Sequence, residues 1–360
     1  MVLCIANTHF ELELGSHERL SIMDALEKNP IALQLQYLPL IYAHSSDICL
    51  ATTLPPKESL EDLQAVLPQL PKIATFEDQF ENDHEISAWG YSRQILNWIQ
   101  SKNLEINMPN LEIVKKVNSK AFSFEISPTF DEASLANNQR ELELWLDSHS
   151  GPAVFKSCFG LSGRGHFILF ERTIERVKLL QVFCKNQWEQ RLPVLAEPWV
   201  ERCLDFSTQW EILPSGGINF LGAVTFESDD KGVYRSTLVG PTEILFKFHT
   251  EELVNHKEEA FKALQILYHE GYWGFVGIDA MIYINHQQKR ALVSIVEINA
   301  RKTMSQVALQ LKHNLNSHDF LKLSYESKKQ RPGLLPEYTY LRNGKRVNFK
   351  KQLYYEMVRT

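Results

Sequence analysis

Residues 277–305, GIDAMIYINHQQKRALVSIVEINARKTMS, constrain this chain more than any other stretch. They read as two strands joined by a polar hairpin: 279–284 alternates, NHQQKR holds turn residues and charge, and 292–298 is an apolar, β-branched run. The second run ends in Glu297, Asn299 and Arg301 at every second position, with Ile298 and Ala300 between them. In an extended chain, residues two apart face the same way. One face therefore presents a carboxylate, an amide and a guanidinium, and the neighbouring strand can add the carboxylate of Asp279. Two carboxylates and an amide oxygen suit a hard cation such as Mg2+, which takes oxygen ligands and usually brings substrate phosphates with it. For an isolated E-x-N-x-R the ordinary account is an exposed strand face holding a salt bridge. What precedes it in the chain argues otherwise.

A chain of 360 residues is long enough for two or three domains with cores of their own. Its net charge of −6 supplies no basic field to collect phosphates, so nucleic acid is not expected as a partner. No apolar run approaches the roughly 18 residues that cross a bilayer, so no membrane association is expected. The first residues lack the basic segment of a secretory signal, and Cys4, Cys49, Cys158, Cys184 and Cys203 are scattered without C-x-x-C spacing. Reduced thiols and a cytoplasmic location are the expectation, with no zinc site.

Residues 1–115 read as a first α/β segment, with 31–43 (IALQLQYLPLIYA) and 47–52 as core strands and 60–67 and 89–99 as helices. Tyr91, Ser92 and Arg93 fit a capped, packed helix start, and no catalytic grouping occurs here. Lys115, Lys116 and Lys120 follow, with Asn118 and Ser119 suited to cap a helix beginning near Lys120. A helix over 131–147 leads to the short strand AVFK, which ends in Lys156 and enters the loop SCFGLSGRGH. Gly160, Gly163 and Gly165 let backbone N–H groups approach phosphate oxygens, Ser157 and Ser162 add hydroxyls, and the lysine adds a point charge. No G-K-[ST] follows, so this is not a Walker loop, and the glycine order departs from the dinucleotide fingerprint. A plain β-hairpin explains the same residues, and HFILFE after it supports a hairpin that could fold over a ligand.

Further on, 174–189 is helical and 192–200 (LPVLAEPWV) is a strand carrying Glu197 near its end. Strands are expected at 208–213 and in NFLGAVTFE, and a helix over 251–269 with Leu253, Phe261, Leu264 and Leu267 inward. A helix over 304–311 and a basic terminal hairpin around Asn343 and Gly344 complete the chain.

In this order, a lysine, a lysine with a Gly-rich loop, an acid-bearing apolar strand, a further acid and D…E-x-N-x-R, the sequence resembles the ATP-grasp superfamily of ligases over about residues 110–315. The resemblance implies an α+β fold in which two α+β subdomains sandwich ATP, preceded by a small α/β domain. The corresponding divisions are 1–115, 116–190, 191–325 and a basic tail, 326–360. Lys120 and Lys156 would contact the nucleotide phosphates, with Lys115 and Lys116 as alternatives for the first lysine. Ser157, Gly160, Ser162, Gly163 and Gly165 would form a flap over the phosphates. Glu197, Pro198, Trp199 and Val200 would line adenine, and Asp205 would bind ribose. Asp279, Glu297 and Asn299 would hold Mg2+, with Asp279 standing where the family more often has glutamate, and Arg301 would stabilise the transferred phosphate.

The implied reaction activates a carboxylate as an acyl phosphate with ATP and passes it to an amine, on a small-molecule or peptide substrate. Alternatives are a phosphotransferase and a non-catalytic ATP-binding module. Tyr234, Arg235 and Lys302 are candidate contacts for a substrate carboxylate or phosphate, and a homodimer through the first domain is expected by analogy.

Overall fold

In a computed structural model, residues 1–16, 18–160, 165–229, 232–315 and 319–358 are described. The chain begins with a parallel sheet of β1 (Val2–Ile5), β2 (Ile48–Ala51), β3 (Lys72–Thr75) and β4 (Glu85–Ala88) in the order β3-β2-β1-β4. Next come β5 (Ser134–Ala136), β6 (Ala153–Ser157), β7 (His166–Leu169) and β8 (Val194–Pro198), an antiparallel sheet in the order β5-β8-β6-β7. β6 and β7 form the expected hairpin around the Gly-rich loop, with Lys156 opposite His166.

The largest sheet is antiparallel and begins with β9 (Glu201–Ile212), β10 (Ile218–Ser228), β11 (Tyr234–Val239), β12 (Gly274–Ile284), β13 (Arg290–Asn299) and β14 (Phe320–Ser327). The expected terminal hairpin is present as β15 (Tyr338–Tyr340) and β16 (Arg346–Asn348). The chain then continues into β17 (Lys351–Val358), which pairs with β14 and closes one edge of the large sheet, ordered β13-β12-β9-β10-β11-β14-β17. Among the described residues no helix is long and apolar enough to cross a membrane.

Three local expectations are corrected. Residues 31–43 are helical, Pro30–Leu35 and Pro39–Tyr42, not a strand. A proline stands at the start of each helix, where its missing N–H costs nothing, and the Asn29 side chain caps the first. Leu33, Tyr37, Leu38 and Ile41 are fully buried, and a run apolar on all sides carries no periodicity to distinguish helix from strand. The helix expected over 131–147 is β5 followed by a helix, Gln139–Ser148, capped by Asn138, and Leu144 on it is exposed. On the helix Thr250–His269, Leu253, Leu264 and Leu267 are buried as expected, but Phe261 is exposed, and His256, Ala260 and Ala263 pack inward instead.

One apolar cluster runs from Phe10, Tyr37 and Ile41 in the first unit through Val114 and Phe122 to Trp210, Leu264, Ile278 and Ile298 around the large sheet. His256, fully buried within the helix that backs this sheet, joins Thr208 on β9 (2.7 Å) to the Ser294 carbonyl on β13 (2.7 Å). Burial pulls this imidazole down to about 4. A depressed histidine leaves stability intact above its unfolded pKa of about 6.5 and loses it on acidification, because only the unfolded chain then takes up the proton. Between pH 7 and pH 5 the wild-type chain is therefore predicted to lose about 2 kcal/mol more than His256→Gln. Urea unfolding across that range measures the difference, and equal slopes would refute it.

Candidate active site

β12 and β13 pair antiparallel with Asp279 directly opposite Glu297, flanked by Ile278 opposite Ile298 and Gly277 opposite Asn299. Both isoleucines are buried, so the alternation of a β-strand turns the two carboxylates together to the other face. The register slips between Asp279 and Met281, a bulge that brings Asp279, Ala280 and Met281 all to the wall of one cavity. This cavity, of about 430 Å³, also receives Glu297, Asn299 and Arg301.

The helix Lys120–Ile126 is capped by Ser119, and the Ile298 N–H donates to its Ser123 hydroxyl at 3.1 Å. Its first residue is thereby set against β13, where Lys120 Nζ reaches Glu297 Oε1 at 2.7 Å. The neighbouring lysines point elsewhere: Lys116 pairs with Glu270, and Lys115 lies over the Phe159 ring. Lys156, at the end of β6, reaches Glu197 on β8 at 2.5 Å, and the Thr129 hydroxyl donates to the other Glu197 oxygen at 2.6 Å. Glu197 is only 2 % exposed, so its carboxylate is engaged by these two partners.

Pro198, Trp199, Val200 and Asp205 line the same cavity, together with Gly160 and Gly165 from the loop. Gly165 has φ +83°, and a Cβ there would meet the Ser157 hydroxyl at 2.6 Å, so the turn requires glycine. Ser157 does not line the cavity; its hydroxyl is within bonding distance of the Phe159 and Gly165 carbonyls at 2.8 Å each, within its own loop. Ser162 and Gly163 lie outside the described residues. Asp205 pairs with Arg202 at 3.3 Å, and Arg202 stacks on the Trp199 ring.

Arg301 follows the end of β13 and donates from Nη2 to Asn299 Oδ1 at 2.8 Å. Its main partner is Glu11, in the helix Phe10–Leu14: Nε donates to Glu11 Oε1 at 2.7 Å, and Nη2 donates to the same oxygen. Sequence reasoning missed Glu11, which lies 290 positions away in a segment without a motif. It missed Thr129 for the same reason. Of the three candidate substrate contacts, Tyr234 lines the cavity, whereas Arg235 is largely exposed beside Asp229. Lys302 turns away from it, is buried, and donates to the Ser87 hydroxyl and the Ala88 carbonyl of β4.

The electrostatics separate the two facing carboxyls. Burial, reinforced by the Glu297 carboxylate, pushes Asp279 up to about 7. Burial also acts upward on Glu297, but Lys120, with Arg301 and Lys156 behind it, outweighs burial and holds the group below the ordinary carboxylate range. Lys120 is correspondingly raised: burial opposes its charge, and Glu297 and then Glu11 overcome that. No cluster of three His, Cys, Asp or Glu with metal-ligating placement occurs among the described residues. The donor set here is two carboxylates and an amide, and Asn299 Nδ2 now donates to Asp279 Oδ2 at 3.2 Å.

Removing Lys156 would leave Glu197 buried with a hydroxyl as its one remaining partner among the described residues. Lys156→Met is predicted to cost about 3 kcal/mol of stability, and adding Glu197→Gln to recover most of it. Urea unfolding of the single and double variants is the test; additive losses would show that the pair does not act as a unit.

The fold can be placed among known proteins. No family model matches the sequence. Among solved structures, a protein from Archaeoglobus fulgidus assigned to the ATP-grasp superfamily superposes with a TM-score of 0.50 at 12% identity, covering 99% of both chains. The biotin carboxylase domain of the Hydrogenobacter thermophilus 2-oxoglutarate carboxylase, solved with MgADP, ADP and bicarbonate, superposes with a TM-score of 0.55 at 12% identity over 87% of this chain and 81% of that one. The chain has the ATP-grasp fold. In sequence it is similar to the [butirosin acyl-carrier protein]–L-glutamate ligase of Niallia circulans, 22% identical over 217 residues, which is 58% of this chain and 49% of that protein. The chain thus spans about half the length of the curated relative it matches.

Proposed function

We propose that this protein is an ATP- and Mg2+-dependent ligase that activates a carboxylate as an acyl phosphate and joins it to an amine, releasing ADP and phosphate. The observation that carries the proposal is Asp279 facing Glu297 across β12 and β13, in a cavity that also collects Lys120, Lys156 and Arg301. The solved biotin carboxylase domain with this fold holds MgADP, and the curated relative is named as a ligase.

Asp279, Glu297 and Asn299 would hold Mg2+, since hard oxygen donors in this number suit an ion that shares its shell with phosphate oxygens. The Asn299 amide oxygen is now turned to Arg301, and half a turn of the amide would aim it at the carboxylates. The ion would supply charge neutralisation and alignment of the phosphates. Lys120 and Lys156, now paired with Glu297 and Glu197, would exchange these partners for phosphate oxygens. Gly160 and Gly165 bring backbone to the same wall, while Pro198, Trp199 and Val200 offer a flat apolar surface for the base, with Asp205 beside it for the ribose.

A substrate carboxylate oxygen would then attack the γ-phosphorus, breaking its bond to the β,γ-bridging oxygen, and ADP would depart. An amine would add to the acyl phosphate, lose its proton, and expel inorganic phosphate. Negative charge develops in both steps, and the Arg301 guanidinium, oriented by Glu11 and Asn299, would stabilise it. No side-chain nucleophile is needed.

Titration calorimetry with Mg-ATP tests the nucleotide site, and absence of binding to the wild-type chain would end the proposal. In turnover, phosphate release is expected only when acid and amine are both present; stable phosphate transfer to a hydroxyl would instead mark a phosphotransferase. Arg301→Lys is predicted to lower kcat by about 10²–10³ with a smaller effect on the KM for ATP, because a point charge cannot reproduce the guanidinium fork. Asp279→Asn or Glu297→Gln should abolish turnover, and full activity in either would remove the metal site from the mechanism.

A further inference from the structure

Five lysines and arginines line the cavity among the described residues, and four have a carboxylate partner. Lys120 meets Glu297, Lys156 meets Glu197, Arg202 meets Asp205, and Arg301 meets Glu11. The fifth, Lys351, has none. It stands at the start of β17 with its ammonium over the Tyr325 ring, 5.5 Å from the centroid. Three other lysines of the C-terminal region have carboxylate partners: Lys322 has Glu227, Lys328 has Glu337 and Lys329 has Glu326. The cavity that holds Arg301 thus also reaches a positive charge without a carboxylate partner among the described residues.

The wall on this side is apolar. Ile31 and Leu35 lie four residues apart on the helix Pro30–Leu35, hence on one face, and Met304 joins them in lining the cavity. Ile31 is 37% exposed, an aliphatic surface that the protein itself leaves uncovered. The wall and the lysine are held in a fixed relation. Gln34, on the same helix, accepts from the Tyr325 hydroxyl at 2.8 Å and donates to the Lys351 carbonyl at 2.9 Å.

From this arrangement we infer the class of substrate: an extended molecule whose reactive end lies at Arg301, whose middle is aliphatic, and whose far end carries an anionic group held by Lys351. A carboxylate and a phosphate monoester are the chemistries that meet a lysine ammonium at a cavity mouth. The inference rests on the ligase reading of the same cavity, and it adds the length and terminal charge of what is bound.

The test uses the full chain loaded with Mg-ADP and two matched series of probes, the dicarboxylates succinate, adipate and suberate against butyrate, hexanoate and octanoate. A third series, ω-phosphooxy acids of the same lengths, separates a carboxylate end from a phosphate end. At one length, the probe with a second anionic end is expected to bind about tenfold more tightly than its monocarboxylate counterpart, as one charge-assisted contact would give. Lys351→Ala should remove that preference and Lys351→Arg retain it. Equal affinity across the series, or a preference that survives Lys351→Ala, overturns the inference while Mg-ADP binding keeps the ligase reading standing. Failure to bind Mg-ADP at all would instead refute the ligase reading and this inference with it.

Discussion

The register of β12 on β13 is the constraint on which the site depends. Side chains alternate across a strand, so a slip of one residue would send Asp279 or Glu297 into the core and an isoleucine into the cavity. Burial of Ile278 and Ile298 on the opposite face specifies the register from behind. The helix Thr250–His269 supports it, since His256 holds a carbonyl of β13 and a hydroxyl of β9 at once. Apolar packing, which has no chemistry of its own, thereby decides that two carboxylates meet.

Charge in the cavity is organised as pairs. Lys120, Lys156 and Arg301 are each matched to a carboxylate, and each pair is mostly shielded from water. Such pairing offsets the cost of desolvating the cations. A polyanion that entered would compete for the same cations, and a divalent ion would compensate the carboxylates it displaced. Asp279 differs from these acids: burial and Glu297 raise it, and Asn299 is its one amide partner. It is the carboxyl in the site least satisfied by the protein's own cations.

The first unit is part of this site as well as a neighbour to it. Glu11 crosses to Arg301, the helix Pro30–Leu35 supplies a wall, and the apolar core is continuous from Phe10 to the large sheet. Lys302, next to Arg301, is drawn the other way into contact with β4, and burial pulls its ammonium down to about 8. Adjacent basic residues are thus divided between the cavity and β4 by the direction in which the chain leaves β13.

What was legible beforehand followed from local rules. Alternation in 279–284 and an apolar, β-branched run at 292–298 marked two paired strands, capping residues marked the helix at Lys120, and glycines after Lys156 marked a hairpin turn. The order of these pieces was enough to indicate an ATP-grasp fold and to name Lys120, Lys156, Glu197, Asp205, Asp279, Glu297, Asn299 and Arg301 as candidate residues, and each of them has an ionic or amide partner, Glu197 and Asp205 with Lys156 and Arg202. The apolar run 31–43 was misread because full burial erases periodicity. Glu11 and Thr129 carried no signal, since their importance arises from contacts with residues 290 and 68 positions away, and Lys351 stood out only as one of the basic residues of the tail. Local residue order was sufficient to specify the strand faces and the chemical types gathered at 277–305. Which cation each acid meets, and which cation is left without one among the described residues, depends on how separate elements pack, and no local pattern records it.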